Sequence, residues 1–173
     1  MTTPTPGAKA PDLDIATVGG GTFSLAAQAP DTFTMLVVYR GLHCPVCKGF
    51  IGKVDAAVPE FEKAGTKVIA VSMDPQDRAE KAVADWGLKN LEIGYGLTEA
   101  QARAFGLYLS KSIKDAETAV FAEPALFLID RDGAFYLINI SNMPFARPDI
   151  SDLPAKIAFA TQNGYPTRGT KAA

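Results

Sequence analysis

Apolar runs separate two kinds of element along this chain. Thr32 to Tyr39 (TFTMLVVY) is almost continuously apolar, β-branched and aromatic, which predicts a strand covered on both faces. Lys67 to Ser72 (KVIAVS) predicts a second buried strand, and Leu91–Ile93 a short third. Ala125 to Ile129 and Ala134 to Ile140 predict two strands joined at Arg131-Asp132-Gly133, a hairpin signal. Near the start, Gly19-Gly20-Gly21 separates two short extended pieces, Leu13–Thr17 and Thr22–Leu25.

Between these runs the apolar spacing becomes helical. Phe50, Ile51, Val54, Val58 and Phe61 form one face of a helix starting near Pro45, with Gly65 as its stop. Pro suits a first helical position, whereas Pro59 inside the stretch predicts a kink or a split. Asp74 to Trp86 predicts a helix capped by Asp74. Thr98 to Phe105 predicts one capped by Thr98, and Ser151 to Gln162 one capped by Ser151. Trp86 and Tyr108 read as core aromatics. Strands separated by helices require crossovers. The expected fold is α/β: a parallel core sheet with an antiparallel edge, mixed overall and flanked by helices on both faces.

Composition narrows the class. Of 173 residues, 47% are hydrophobic and 21% charged, as in a globular domain able to bury its own core. The chain is expected to form one domain, its core at about residues 7–163 and loose ends at 1–6 and 165–173. A net charge of −2 leaves no basic footprint for nucleic acid and no polybasic stretch for a membrane. No apolar run has membrane-spanning length, and Met1 to Ala10 is polar and Pro-rich without an apolar leader. A cytoplasmic location is therefore expected. There the two cysteines have little structural use as a disulfide, and such a pair is more often catalytic or metal-binding.

Both cysteines fall in Arg40-Gly41-Leu42-His43-Cys44-Pro45-Val46-Cys47, where a buried strand gives way to a helix. Residues three apart on a helix lie about 5–6 Å apart, close to the ~5.5–6 Å Cα separation of a disulfide. The helix's first turn offers unpaired N–H groups and partial positive charge, which favour a thiolate. The thiolate is the attacking species in disulfide exchange and in peroxide reduction. Arg40 and Lys48 add positive charge nearby, although Arg40 also reads as a plain surface charge. Cys44, at the exposed end, is expected to attack. Cys47, one turn in, is expected to resolve, and His43 to tune Cys44 by charge or hydrogen bond. A zinc site would need four ligands, and His43 is the sole histidine, so no metal is expected. Inert core cysteines remain the bland alternative.

This stretch, followed by Pro124-Ala125-Leu126-Phe127-Leu128-Ile129-Asp130-Arg131-Asp132-Gly133, resembles the thioredoxin-like superfamily. More narrowly it resembles the alkyl hydroperoxide reductase/thiol-specific antioxidant, or peroxiredoxin-like, family. Gly7 to Leu13 resembles that family's N-terminal signature and Val68 to Asp74 its second core strand, a similarity covering about residues 7–140. The resemblance implies a thioredoxin-like fold with an N-terminal β extension. It also implies that Pro124 is a cis-proline facing the cysteines, with Glu123-Pro124 backbone free to grip a thiol substrate. The family pattern PxxxTxxC falls on Arg40, Cys44 and Cys47, so its Thr has become a second Cys. The family's activating Arg falls near Pro124 and is missing, which leaves Arg40 or Arg147 as stand-ins.

Three functions follow as expectations. The first is thiol–disulfide exchange with Cys44 attacking. The second is thiol peroxidase action on hydrogen peroxide or alkyl hydroperoxides with Cys47 attacking. The third is a redox-silent binding module. The implied partners are a disulfide or peroxide substrate and a thiol reductant such as a thioredoxin or glutathione system, with no cofactor. A homodimer built through the two tails is left open.

Overall fold

In a computed structural model, which describes residues 3–171, the chain forms a seven-stranded mixed sheet with helices on both faces. The strands are β1 (Asp14–Thr17), β2 (Thr22–Ser24), β3 (Phe33–Val38), β4 (Thr66–Val71), β5 (Glu92–Tyr95), β8 (Ala125–Asp130) and β9 (Phe135–Ile140). Their order is β2-β1-β5-β4-β3-β8-β9. β3, β4 and β5 run parallel at the centre, while β8–β9 and β1–β2 add antiparallel edges. A separate two-stranded hairpin, β6 (Leu109–Lys111) with β7 (Val120–Ala122), has too short an apolar pattern to be read from sequence.

All six residues of β3 are buried, because both faces of that strand carry a core. Met35, Val37, Val68, Ala70, Leu126 and Leu128 face helices α1 (Pro45–Lys63), α2 (Gln76–Trp86) and α4 (Leu153–Gln162). Leu36, Val38, Ile69, Val71, Phe127 and Ile129 face the N-terminal strands and α3 (Glu99–Ala104). The alternation of neighbouring residues between the two clusters is the period-two geometry of a strand.

Several local expectations are corrected. Pro59 neither splits α1 nor ends it; the helix continues to Lys63. Proline removes the bond that the Asp55 carbonyl would receive, and the Asn90 side-chain amide supplies a replacement donor at 3.2 Å. Asp74 does not cap α2, whose N-cap is Pro75; its carboxylate is used elsewhere, as described below. The N-cap of α4 is Asp152, with no side-chain cap bond, rather than Ser151. Tyr108 is 48% exposed, since it precedes the edge hairpin rather than a core strand. Thr98 caps α3 as expected, in a capping box with Gln101. Gly133 takes φ +78° in the β8–β9 turn, a conformation open to glycine.

The expected loose ends fall partly on residues 1, 2, 172 and 173, which lie outside the described residues. Of the remainder, the Thr5 carbonyl accepts the Ala8 N–H, and the Tyr165 carbonyl accepts the Tyr136 hydroxyl. A Cβ placed on Gly7 would lie 3.2 Å from Thr170 Cγ2, so the two ends run side by side.

The side chain of Asp55 ties α1 to the segment before β5. One carboxylate oxygen accepts the backbone N–H groups of Lys89, Asn90 and Leu91 at 2.9, 2.8 and 2.9 Å. Asp55→Ala leaves those donors without a partner and is expected to cost about 2–3 kcal/mol. Urea unfolding should show a lower midpoint at unchanged slope; a midpoint equal to wild type would contradict this role.

Candidate redox site

The loop from Arg40 to His43 leaves β3 and turns into α1. Cys44 is the N-cap, at φ −99° and ψ 104°, and Pro45 opens the helix. Cap positions usually hold an oxygen that accepts an N–H from the first turn. Here the acceptor is sulfur: the Cys47 N–H donates to Cys44 Sγ at 3.2 Å. Both cysteines are free, and Cys44, expected at the exposed end, is instead nearly as buried as Cys47, at 3% against 0% exposure, because both sulfurs join the main core cluster.

The two sulfurs differ in acidity. The Cys47 thiol, hydrogen-bonding to Cys44, does most to pull the Cys44 thiol down to about 6; burial opposes this, and the cap bond and the charges of Arg147 and Arg40 assist it. Burial pushes the Cys47 thiol up, and its bond to Cys44 holds its proton further. A pair of this kind has one ready nucleophile and one proton store.

Two arginines, Arg40 and Arg147, act on the pair and a third, Arg78, acts on His43, each in a different charge environment. Arg40 is clamped by Glu123, Nε to Oε2 at 2.9 Å and Nη2 to Oε1 at 2.8 Å, and stacks 5.0 Å above the Phe121 ring. It is therefore not a free surface charge. Glu123 is 2% exposed and also accepts the Ser110 hydroxyl at 2.6 Å. Arg78 Nε donates to Asp74 Oδ1 at 3.1 Å. Arg147 belongs to the segment between β9 and α4 and forms no ion pair among the described residues. Its Nη2 donates to Cys47 Sγ at 3.1 Å, its Nη1 to the Pro144 carbonyl, and its plane lies 5.0 Å over Phe50. Lys48 points away, donating to the Asp85 carbonyl at 3.3 Å.

His43 packs its ring 4.8 Å from Phe121, and neither ring nitrogen has a hydrogen-bond partner. The expected hydrogen bond to Cys44 is therefore not made. Burial lowers the pKa of His43, so its neutral form is favoured. Pro124 is corrected: no peptide bond among the described residues is cis. Of the flanking backbone, two groups are already engaged: the Glu123 N–H donates to the Tyr108 carbonyl at 2.8 Å, and the Pro124 carbonyl accepts from Ser141 N–H at 2.9 Å. Pro124 is a strand-start proline, buried where its missing N–H costs nothing. No cluster of three His, Cys, Asp or Glu side chains among the described residues could hold a metal ion.

Sequence reasoning missed Glu123 and Asp74. Glu123 had a readable signal: one carboxylate between two apolar runs needs a buried cation, and Arg40 ends the facing strand. Asp74 had none, since Asp before Pro is also a helix-cap signature.

Comparison with known proteins agrees with the geometry. Residues 6–136 match the model of the AhpC/TSA family, and the chain belongs to that family. It is thus a thiol-dependent redox enzyme on a thioredoxin-like fold. Its structure is similar to peroxidoxin BcpB from Mycobacterium tuberculosis, at 17% identity and TM-score 0.72, covering 94% of this chain and 98% of that one. It is also similar to AhpC of Mycobacterium tuberculosis, at 13% identity and TM-score 0.75, covering 95% and 96%. A third similar structure is the reduced 2-Cys peroxiredoxin of Plasmodium vivax, at 19% identity and TM-score 0.72, covering 91% and 82%. No curated protein matches the chain. Among the described residues, no helix is long and apolar enough to cross a membrane.

Arg147→Met removes the cation that lacks an ion-pair partner among the described residues, while keeping most of the side chain's apolar body. Cys44 alkylation by iodoacetamide at pH 6 is expected to slow severalfold, because less thiolate is present. An unchanged rate would show that Arg147 contributes no field at Cys44.

Proposed function

We propose that this protein catalyses thiol–disulfide exchange, with Cys44 as attacking thiol and Cys47 as resolving thiol. The observation that supports it is the split between the sulfurs: Cys44 at about 6, capping a helix, and Cys47 deeper and protonated. In this reading the Cys44 thiolate attacks one sulfur of a substrate disulfide, and the other leaves as thiolate and takes up a proton. Cys47 then loses its proton and attacks Cys44 Sγ, which releases the second substrate thiol and forms the Cys44–Cys47 disulfide. The substrate gains two electrons, and a thiol reductant of the thioredoxin or glutathione type returns them to the enzyme. His43 and Arg40 are supporting groups. Pro45 starts the helix, and Pro124 fixes the strand behind the pair. The working unit is a single domain of about residues 7–163, acting in the cytoplasm.

One observation favours a second reading. Arg147 donates to Cys47, not to Cys44. A guanidinium on the sulfur that attacks peroxide would stabilise charge developing on the departing oxygen. In that order Cys47 takes one peroxide oxygen as a sulfenic acid, and water or an alcohol leaves. Cys44 then condenses with Cys47, releasing water and closing the same disulfide. The need to ionise a buried Cys47 first counts against it.

The cysteine variants separate the two. Cys44→Ser is expected to lower disulfide reduction by at least about a thousandfold, and Cys47→Ser to accumulate a mixed disulfide on Cys44, seen by mass spectrometry. If Cys44→Ser still consumes hydrogen peroxide in a single turnover and Cys47→Ser does not, the peroxidase order is correct and the exchange order is wrong.

A further inference from the structure

Asp74 is fully buried, yet it caps no helix and touches neither sulfur. Its carboxylate oxygens are both engaged. Oδ2 accepts the Leu42 N–H at 2.7 Å, and Oδ1 accepts Arg78 Nε at 3.1 Å. Each bond leads to a different wall of the site. Leu42 lies within the loop that ends at the Cys44 cap, and the Cys44 N–H closes that loop on the Gly41 carbonyl at 3.2 Å. Arg78 continues through Nη2 to the Ala116 carbonyl at 2.8 Å, at the tip of the β6–β7 hairpin. The hairpin in turn carries Phe121, which packs on His43, and leads directly into Glu123, which holds Arg40.

Gly41 shows how closely the loop is drawn onto this carboxylate. It adopts φ +127°, and a Cβ built there would stand 2.6 Å from both Asp74 oxygens. The loop therefore passes Asp74 backbone-first, at a distance that no side chain would permit. Asp74 is itself anchored, its N–H on Ser72 Oγ at 3.3 Å and its carbonyl accepting Gly96 N–H at 2.8 Å. A charged, desolvated carboxylate in this setting is costly unless its hydrogen bonds are retained, so it resists movement of the loop.

We infer that Asp74 is the positioning residue of the redox site, hooking the Gly41–Leu42 backbone so that Cys44 Sγ is held at the N-terminus of α1. This deepens the exchange reading and rests on it, because the group positioned is the attacking sulfur. The thiolate's stability depends on alignment with the first-turn N–H groups, chiefly that of Cys47, and alignment is what a loosened loop forfeits. The charged and titratable groups around Cys44 are Cys47 on α1, Arg40 and His43 on the loop, and Arg147 on the segment after β9. All of them remain in the variants below.

The test measures the pH dependence of Cys44 alkylation by iodoacetamide, located by peptide mass, together with the thermal midpoint of each variant. Asp74→Ala should slow Cys44 alkylation at pH 6.5 by roughly tenfold or more, as its pKa moves from about 6 toward the ordinary value of ~8.5. Asp74→Asn keeps an acceptor for Leu42 N–H while giving up the ion pair with Arg78, and should restore the rate to within about threefold of wild type. A purely structural Asp74 would lower the thermal midpoint in Asp74→Ala yet leave the alkylation profile in place, which would overturn the inference. Should Asp74→Ala fail to fold, Gly41→Ala decides, since it pushes the loop off an intact Asp74 and should slow alkylation likewise. A wild-type Cys44 titrating at the ordinary value would instead overturn the exchange reading itself. A wild-type Cys44 titrating near 6, with Gly41→Ala unchanged, would overturn the hook alone.

Discussion

At the start of α1 a sulfur accepts a backbone N–H where most helices offer an oxygen. That bond, from Cys47 to Cys44 Sγ, organises much of the surrounding structure. It places one sulfur in the partial positive field of the helix and leaves its neighbour one turn deeper, among hydrocarbon. The same 19-residue helix buries Ile51, Val54, Val58 and Phe61 against the sheet, so the position of the sulfur is set by the packing of the main core. Asp55 fastens the helix to the segment ahead of β5, and Asn90 covers the carbonyl that Pro59 leaves open, which allows the helix to run on without a break.

Charge around the site is distributed with economy. Two buried carboxylates, Asp74 and Glu123, each take an arginine and thereby hold a wall of the site. Isolated, either carboxylate would be expensive to bury; paired and hydrogen-bonded, each becomes a rigid fixture. Arg147 has no such partner among the described residues, and its nearest acceptors are a sulfur and a carbonyl. Of the two arginines that act on the pair, Arg40 is compensated by Glu123 and Arg147 has no compensating carboxylate among the described residues, which favours a single thiolate without pulling the proton from Cys47.

Legibility followed the range of the interactions. β3, β4, β8 and β9 were readable because a strand buried on both faces must be apolar at nearly every position. The start of α1 was readable from Pro45 and the two cysteines, since capping is local. What failed was decided at long range. Pro59 looked like a break until Asn90, 31 residues on, supplied a donor. Asp74 looked like a cap because its partners Leu42 and Arg78 come from different elements. Pro124, expected cis through resemblance, is trans, with the Glu123 N–H bonded to Tyr108 and its own carbonyl to Ser141. The β6–β7 hairpin, with three residues in each strand, gave no periodicity to read, yet it leads to Glu123.

The central claim is that the two sulfurs share one readily lost proton and one firmly held proton. Thiolate absorbance of the reduced wild-type protein, followed from pH 4 to 10 against a variant lacking both cysteines, tests it most directly. The account predicts a single thiolate appearing with a midpoint near 6, and no second one below pH 9. Two thiolates rising together near pH 8.5, the value of unperturbed cysteine, would contradict it.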